Sequence, residues 1–271
     1  MNDKPNCGSE SEPFTSLTFD IQGRVATITL NRPDEANGLN TVLSRELANV
    51  AQQCADDSLI KAVVLTGKGR FFSAGGDIKA MLAFGDKVAD GISSIADNLH
   101  RALSAFARMD APLIVAVNGT AAGAGFSMAV SGDLVLAVDT AKFTMAYSKI
   151  GLSPDGGSSY YLPRLIGLRK AQELMLTNRV LSASEALQWG LVNRLVPATE
   201  LLNEANKLAT EFAQGSKQST GAIKKLLLQS SGNNLETQMD LESRTIAACA
   251  AQPDGLEGVA AFVEKRSANF E

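Results

Sequence analysis

Asp155 stands between Pro154 and two glycines in the run Gly151-Leu-Ser-Pro-Asp-Gly-Gly157. An aspartate in that setting is a natural turn former. Its neighbours in sequence, Ile150, Leu152, Tyr160, Tyr161 and Leu162, are apolar or aromatic, and a carboxylate in an apolar cleft can shuttle a proton. Two glycine-rich stretches could act opposite it. In Phe72 to Asp77 (FSAGGD), adjacent glycines either make an ordinary turn or let a ligand approach the main chain closely. Asn118 to Gly125 (NGTAAGAG) runs from an apolar segment into what reads as the start of a buried helix. The free N–H groups of a helix start favour an oxyanion or a phosphate. Close packing of a buried helix would use the same glycines.

Other chemistries fit less well. The glycine spacing in Asn118 to Gly125 departs from the dinucleotide-binding fingerprint. Gly67-Lys68-Gly69 lacks the rest of a phosphate-binding loop and reads as a turn. Gly125-Phe-Ser127 resembles a weakened nucleophile elbow, but the one histidine, His100, precedes the serine, whereas hydrolases of that kind place it after. His100 is either a helix residue near the surface or core, or a base. Cys7, Cys54 and Cys249 are far apart with no CxxC pair. No zinc site or disulfide framework is expected, no metal site is assigned, and a reducing compartment fits.

The elements that must position these residues alternate. Leu17 to Phe19 and Val25 to Leu30 are rich in β-branched residues around Gln22-Gly23 and predict a hairpin. Leu43, Leu47 and Val50 have helical spacing within Thr41 to Cys54, as do Ile95, Leu99, Leu103 and Phe106 within Ile92 to Met109. Ala62 to Leu65, Leu113 to Val117, Leu134 to Val138 and Lys142 to Met145 read as strands, and Gly67 to Asp77 as a loop. The alternation argues for an α/β fold. Ser182-Ala-Ser-Glu185 has the form of a capping box. Beyond it Thr199 to Gln214, Ser219 to Gln229, Leu235 to Ala251 and Gly255 to Arg266 read as helices. The expected organisation is a short disordered tail (1–14), an α/β core (15–198) and a helical region (199–271).

Composition narrows the partners. The 271 residues carry a net charge of −4 and a pI near 5.2, so no nucleic-acid partner is expected. The first residues, MNDKPNCGSESEPF, lack the basic and apolar regions of a signal peptide. The apolar stretch from Leu113 to Val130 is interrupted by Asn118, Gly119, Thr120, Gly123 and Gly125, so no membrane span is expected. A cytoplasmic location is the default.

Taken in order, Phe72 to Asp77, Asn118 to Gly125 and Gly151 to Gly157 resemble the oxyanion and active-site motifs of the crotonase (enoyl-CoA hydratase/isomerase) family. Asn31-Arg-Pro33 with Asn37-Gly-Leu-Asn40 resembles its first CoA-contacting loop. Leu162-Pro-Arg-Leu-Ile-Gly167, Ala183 to Val196 and Ala261-Phe-Val-Glu-Lys-Arg266 resemble later segments. The resemblance runs from about residue 15 to the C-terminus. It implies a spiral of ββα turns and a C-terminal helical region that drives assembly into a homotrimer or homohexamer. It also implies an acyl-CoA substrate, with CoA arriving as the thioester and no separate cofactor. Gly76 and Ala124 would donate backbone N–H groups to the thioester oxygen. Ala36, Gly38, Ala74 and Asp77 would line the CoA path. Phe262 and Lys265 would reach the adenine and 3′-phosphate, from the same or a neighbouring subunit.

Departures from the family pattern set the subtype. Hydratases of the family carry two glutamates, whose places here are Ser127 and Tyr147. Neither is a carboxylate base at neutral pH. Asp155 falls where double-bond isomerases and ring-epoxide isomerases carry an acid, which implies isomerisation in fatty-acid or aromatic-acid breakdown. The resemblance also admits a dehalogenase on 4-chlorobenzoyl-CoA. There Asp155 would be the nucleophile and His100 the base, with Tyr147 at the place of an assisting tryptophan. A non-catalytic acyl-CoA binder is the reading from another class.

Overall fold

The computed structural model describes residues 14–270. The expected N-terminal tail, apart from Phe14, lies outside the described residues. Strands β1 (Leu17–Gln22) and β2 (Val25–Leu30) form the hairpin, in register from Leu17 opposite Leu30 to Gln22 opposite Val25. Gly23, at φ 60°, makes the tight turn between them. Helix α1 (Thr41–Asp56) is capped by the Asn40 side chain, which accepts from the Leu43 N–H. It leads into β3 (Ala62–Gly67), which is buried along its whole length.

From there the chain winds in repeating turns. Strand β4 (Phe71–Ser73) and helices α2 (Ile78–Leu82) and α3 (Val88–Arg108) complete one turn. Strands β5 (Leu113–Val117) and β6 (Thr120–Ala122) with α4 (Ala124–Val130) make the next. Strands β7 (Leu134–Val138) and β8 (Lys142–Thr144) with α5 (Ser158–Ile166) and α6 (Leu168–Thr177) make a third. Then come β9 (Leu181–Ser182), α7 (Ala183–Trp189) and β10 (Arg194–Val196). Each turn gives one strand to each of two sheets, ordered β1-β2-β3-β5-β7-β10 and β4-β6-β8-β9. From β2 onward the larger sheet is parallel. Its central strands AVVLTG and LIVAV are apolar almost throughout, because a parallel sheet is covered on both faces. This is the ββα spiral that the resemblance implies.

Helix α3 starts a turn before Ile92. Its buried stripe begins only at Ile95, so the first turn carries no apolar periodicity. Helix α7 begins with the full reciprocal capping box of Ser182 and Glu185. The helical region contains α8 (Leu201–Gln214), α9 (Lys217–Ser230), α10 (Leu235–Ala250) and α11 (Pro253–Glu264). Helix α8 packs on β2, β3, β5 and β7 through buried Leu201, Ala205, Leu208 and Ala209. It is therefore a layer of the core, and the helices outside that core start with α9.

A buried cation fastens α9 to the core. Lys224 Nζ donates to the carbonyls of Phe106 (2.9 Å) and Ala111 (2.8 Å) and pairs with Asp133 at 2.7 Å. Burial draws its pKa down, and the Asp133 charge works against that. Lys224→Met is expected to lower stability by about 3 kcal/mol, because a carboxylate and two carbonyls lose their partner. Urea denaturation measures it, and an unchanged midpoint would show that this pair does not hold α9.

Candidate active site

The loop between β4 and α2 is zipped to the segment before α1. The Ala74 N–H donates to Ala36 O (2.9 Å), the Leu39 N–H to Gly75 O (2.7 Å) and the Asp77 N–H to Leu39 O (2.9 Å). Between these bonds the Gly76 N–H meets no acceptor among the described residues. The Asp77 carboxylate caps α2 at the Ala80 N–H and pairs with Arg32 at 2.9 Å. Arg32 also donates to Gly38 O. Burial would raise the pKa of Asp77, but the Ala80 N–H and the Arg32 guanidinium outweigh it and hold the carboxyl below its usual range. The Asp77 side chain is thus committed to positioning the loop.

The start of α4 faces this loop. Gly123 (φ 51°) turns the chain from β6 into the helix, and its N–H donates to Thr144 O at 3.0 Å. The next N–H, of Ala124, meets no acceptor among the described residues. Gly75 lies between the two segments at φ 93°. A Cβ there would stand 2.7 Å from Ala122 O and 3.1 Å from Ala124 N. The missing side chain is what lets the loops touch, with two unpaired N–H groups on adjoining stretches of main chain.

Asp155 is held from several directions. Tyr147 opens a short 3-10 turn (Tyr147–Ile150) after β8, and its hydroxyl donates to Asp155 Oδ1 at 2.5 Å. Ser127, on α4, donates to the Asp155 carbonyl at 2.9 Å and lies 3.3 Å from the Tyr147 hydroxyl. Ser158 Oγ donates to the same carbonyl at 3.0 Å. The Gly156 N–H donates to His100 Nε2 at 3.1 Å. Gly156, at φ 60°, has no room for a side chain: a Cβ would stand 2.7 Å from Ser127 Cβ. Burial, then the Asp155 charge, push the Tyr147 hydroxyl well above the usual phenol range. It is a fixed donor at ordinary pH. Among the described residues no donor reaches Asp155 Oδ2. The arrangement can stabilise an oxyanion with main-chain donors and move a proton with one carboxylate.

Comparison with known proteins gives the family. The family model described as enoyl-CoA hydratase/isomerase matches residues 20–271. The chain belongs to the enoyl-CoA hydratase/isomerase family. A 1,2-epoxyphenylacetyl-CoA isomerase of Escherichia coli (strain K12) is 37% identical, over 92% of this chain and 96% of that one. A 4-chlorobenzoyl coenzyme A dehalogenase of Arthrobacter sp is 33% identical, over 89% and 88%. The crystal structure of an enoyl-CoA hydratase from Polaromonas sp. JS666 superposes with a TM-score of 0.89 at 31% identity, covering 94% of this chain and 99% of that one. Relatives at similar identity thus carry three different reaction names.

Within this enoyl-CoA hydratase/isomerase enzyme, the structure brings the Gly76 loop against the Ala124 helix start at Gly75 and joins Asp155 to Tyr147, while His100 reaches the next residue, Gly156. Ala36, Gly38 and Ala74 lie on the zipped loops beside Gly76. Phe262 and Lys265 are elsewhere: they sit on or just after α11, which packs mainly on α10, and Phe262 is 86% exposed. No hydrogen bond or ion pair links either to the three loops among the described residues. His100 is exposed on α3 and holds the Asp155 loop through its backbone. Ser127 is not among the site residues expected from sequence, yet it binds the Asp155 carbonyl. The signal is its place in the resemblance, where hydratases of the family carry one of their two glutamates. No helix among the described residues is long and apolar enough to cross a membrane.

Proposed function

We propose that this family member isomerises an unsaturated or ring acyl-CoA ester by moving a proton through an enolate. The thioester oxygen accepts hydrogen bonds from the N–H groups of Gly76 and Ala124. Asp155 takes a proton from one substrate carbon, and the C–H electron pair moves into the enolate held at the two N–H groups. The same carboxylate returns the proton to another carbon, so the double bond shifts with no net change in atoms. In a ring epoxide, the same enolate chemistry would open the ring.

One observation carries this reading. Asp155 is tied by Tyr147 to the structure around Gly123 and keeps one oxygen without a donor, whereas Asp77, beside Gly76, is consumed by Arg32 and the α2 cap. Isomerisation is favoured over hydration because the two places expected to hold water-activating acids are filled by Ser127 and Tyr147. These face each other at 3.3 Å. A dehalogenase would need His100 to activate water, but its Nε2 accepts the Gly156 N–H. No cofactor is proposed beyond the CoA of the substrate. The exposed apolar side chains of Ile246, Leu256, Val259 and Phe262 support assembly into a trimer or hexamer, through which Phe262 and Lys265 would meet a neighbour's CoA.

The test is exchange in deuterated water with 3-hexenoyl-, 2-hexenoyl-, phenylacetyl- and 4-chlorobenzoyl-CoA, followed by mass spectrometry. Deuterium at the α or γ carbon is the expected result. Loss of chloride without exchange would replace this reading by nucleophilic substitution. Binding of every ester without change in any would replace it by a non-catalytic binder.

A further inference from the structure

Tyr147 is the side chain whose polar atom touches the Asp155 carboxylate, and it is the one that does so among the described residues. Its contact, at 2.5 Å, is at the short end for a hydroxyl donating to a carboxylate. Its ring is set from the other side by the turn into α4: a Cβ on Gly123 would lie 3.9 Å from Tyr147 Cζ. The residue before it, Ala146, has φ 58°, a left-handed backbone that alanine seldom adopts. The phenol is therefore placed by backbone and packing rather than by rotamer choice alone.

The proton count is also informative. A phenol and a serine hydroxyl each have one proton to give. Ser127 directs its proton to the Asp155 carbonyl and Tyr147 directs its own to Oδ1. The hydroxyls at both places where hydratases carry acids thus direct their protons to Asp155, and neither is a base at neutral pH.

We infer that Tyr147 is a positioning residue for Asp155: it occupies Oδ1, prevents the carboxylate from rotating, and leaves Oδ2 as the one oxygen that exchanges a proton with the substrate. This inference rests on the reading of Asp155 as the acid/base. In the forward step Oδ2 takes the proton as the enolate forms. The Tyr147 bond to Oδ1 is strongest while the group is charged, and weaker once Oδ2 is protonated. Return of the proton restores it. Burial of the phenol keeps its own proton in place through the cycle.

The experiment compares unmodified protein, Tyr147→Phe, Asp155→Asn and the double variant. The probes are deuterium uptake into phenylacetyl-CoA and 3-hexenoyl-CoA, with the titratable neighbours of Asp155 (His100 behind Gly156 and Tyr161 against Gly157) left intact. Tyr147→Phe keeps the ring and its packing. It is expected to lower the exchange kcat by about a hundredfold, as for a misplaced reacting group, with KM unchanged. The double variant should be no slower than Asp155→Asn, because Tyr147 acts through Asp155. Unimpaired exchange by Tyr147→Phe beside an inactive Asp155→Asn would overturn the inference and leave the base assignment standing. So would a double variant slower by the full product of the two losses. Active Asp155→Asn, or no exchange of either ester by unmodified protein, would overturn the base assignment and this inference with it.

Discussion

Asp155→Asn is expected to lower turnover by about a thousandfold while acyl-CoA esters bind as before. The magnitude is that of losing a positioned general base. The specificity of the effect comes from the surroundings. An asparagine has nearly the shape of aspartate, and its carbonyl oxygen can still accept the Tyr147 hydroxyl. The bonds from Ser127 and Ser158 go to the main-chain carbonyl and are untouched. His100 holds the following N–H, also main chain. The loop should therefore keep its place, and on the proposed mechanism the N–H groups of Gly76 and Ala124 should still receive the thioester while the lone pair that would take the proton is gone. Isothermal titration calorimetry with phenylacetyl-CoA measures the binding, and deuterium uptake measures the chemistry. Loss of both together would show that the carboxylate is structural. Retention of both would place the base elsewhere.

Much of this site is legible in the sequence, and the part that is not has a physical reason. The three glycine-rich loops are visible because chain reversals and close main-chain approach need residues that few other side chains can replace. Helices α1 and α7 are visible from apolar periodicity and from the Ser182–Glu185 capping box. Strands β4 and β6 are not. Each has three residues, lies within or beside a glycine-rich stretch, and pairs across long separations, Phe71 with Thr120 and Ala121 with Phe143. A strand that short is fixed by its partners rather than by its own residues. Helix α5 is hidden in the same way, with Pro163 inside it. The contacts that turn a conspicuous aspartate into a positioned one are also nonlocal. His100 meets Gly156 from another turn of the spiral, and Arg32 meets Asp77 from the other side of α1. No local pattern in the sequence predicts either. The packing of α8 on the larger sheet is likewise tertiary: its residues read as a helix, but nothing in them says which surface they cover.

The oxyanion side of the site is most exposed to change at Gly75. Gly75→Ala is expected to lower the exchange rate by about a hundredfold or more, the loss typical of one main-chain donor withdrawn from an oxyanion. At φ 93° the added methyl group has a strained backbone, and it would stand 2.7 Å from Ala122 O and 3.1 Å from Ala124 N. Both of those atoms are backbone and cannot rotate away, so the loops must separate. Separation carries the Gly76 N–H away from the Ala124 N–H, and the thioester oxygen can no longer reach both. Gly23→Ala provides the comparison. Its φ of 60° imposes a similar backbone strain of about 1–2 kcal/mol, but no atom lies within 4 Å of the added methyl group. It sits in the β1–β2 turn and should lose stability without losing exchange. Thermal melts and deuterium uptake on both variants separate the two effects. If Gly75→Ala loses only what Gly23→Ala loses, the contact between the loops is not what aligns the donors. If exchange collapses in Gly75→Ala alone, the empty space at that glycine sets the distance between the two N–H groups proposed to hold the enolate.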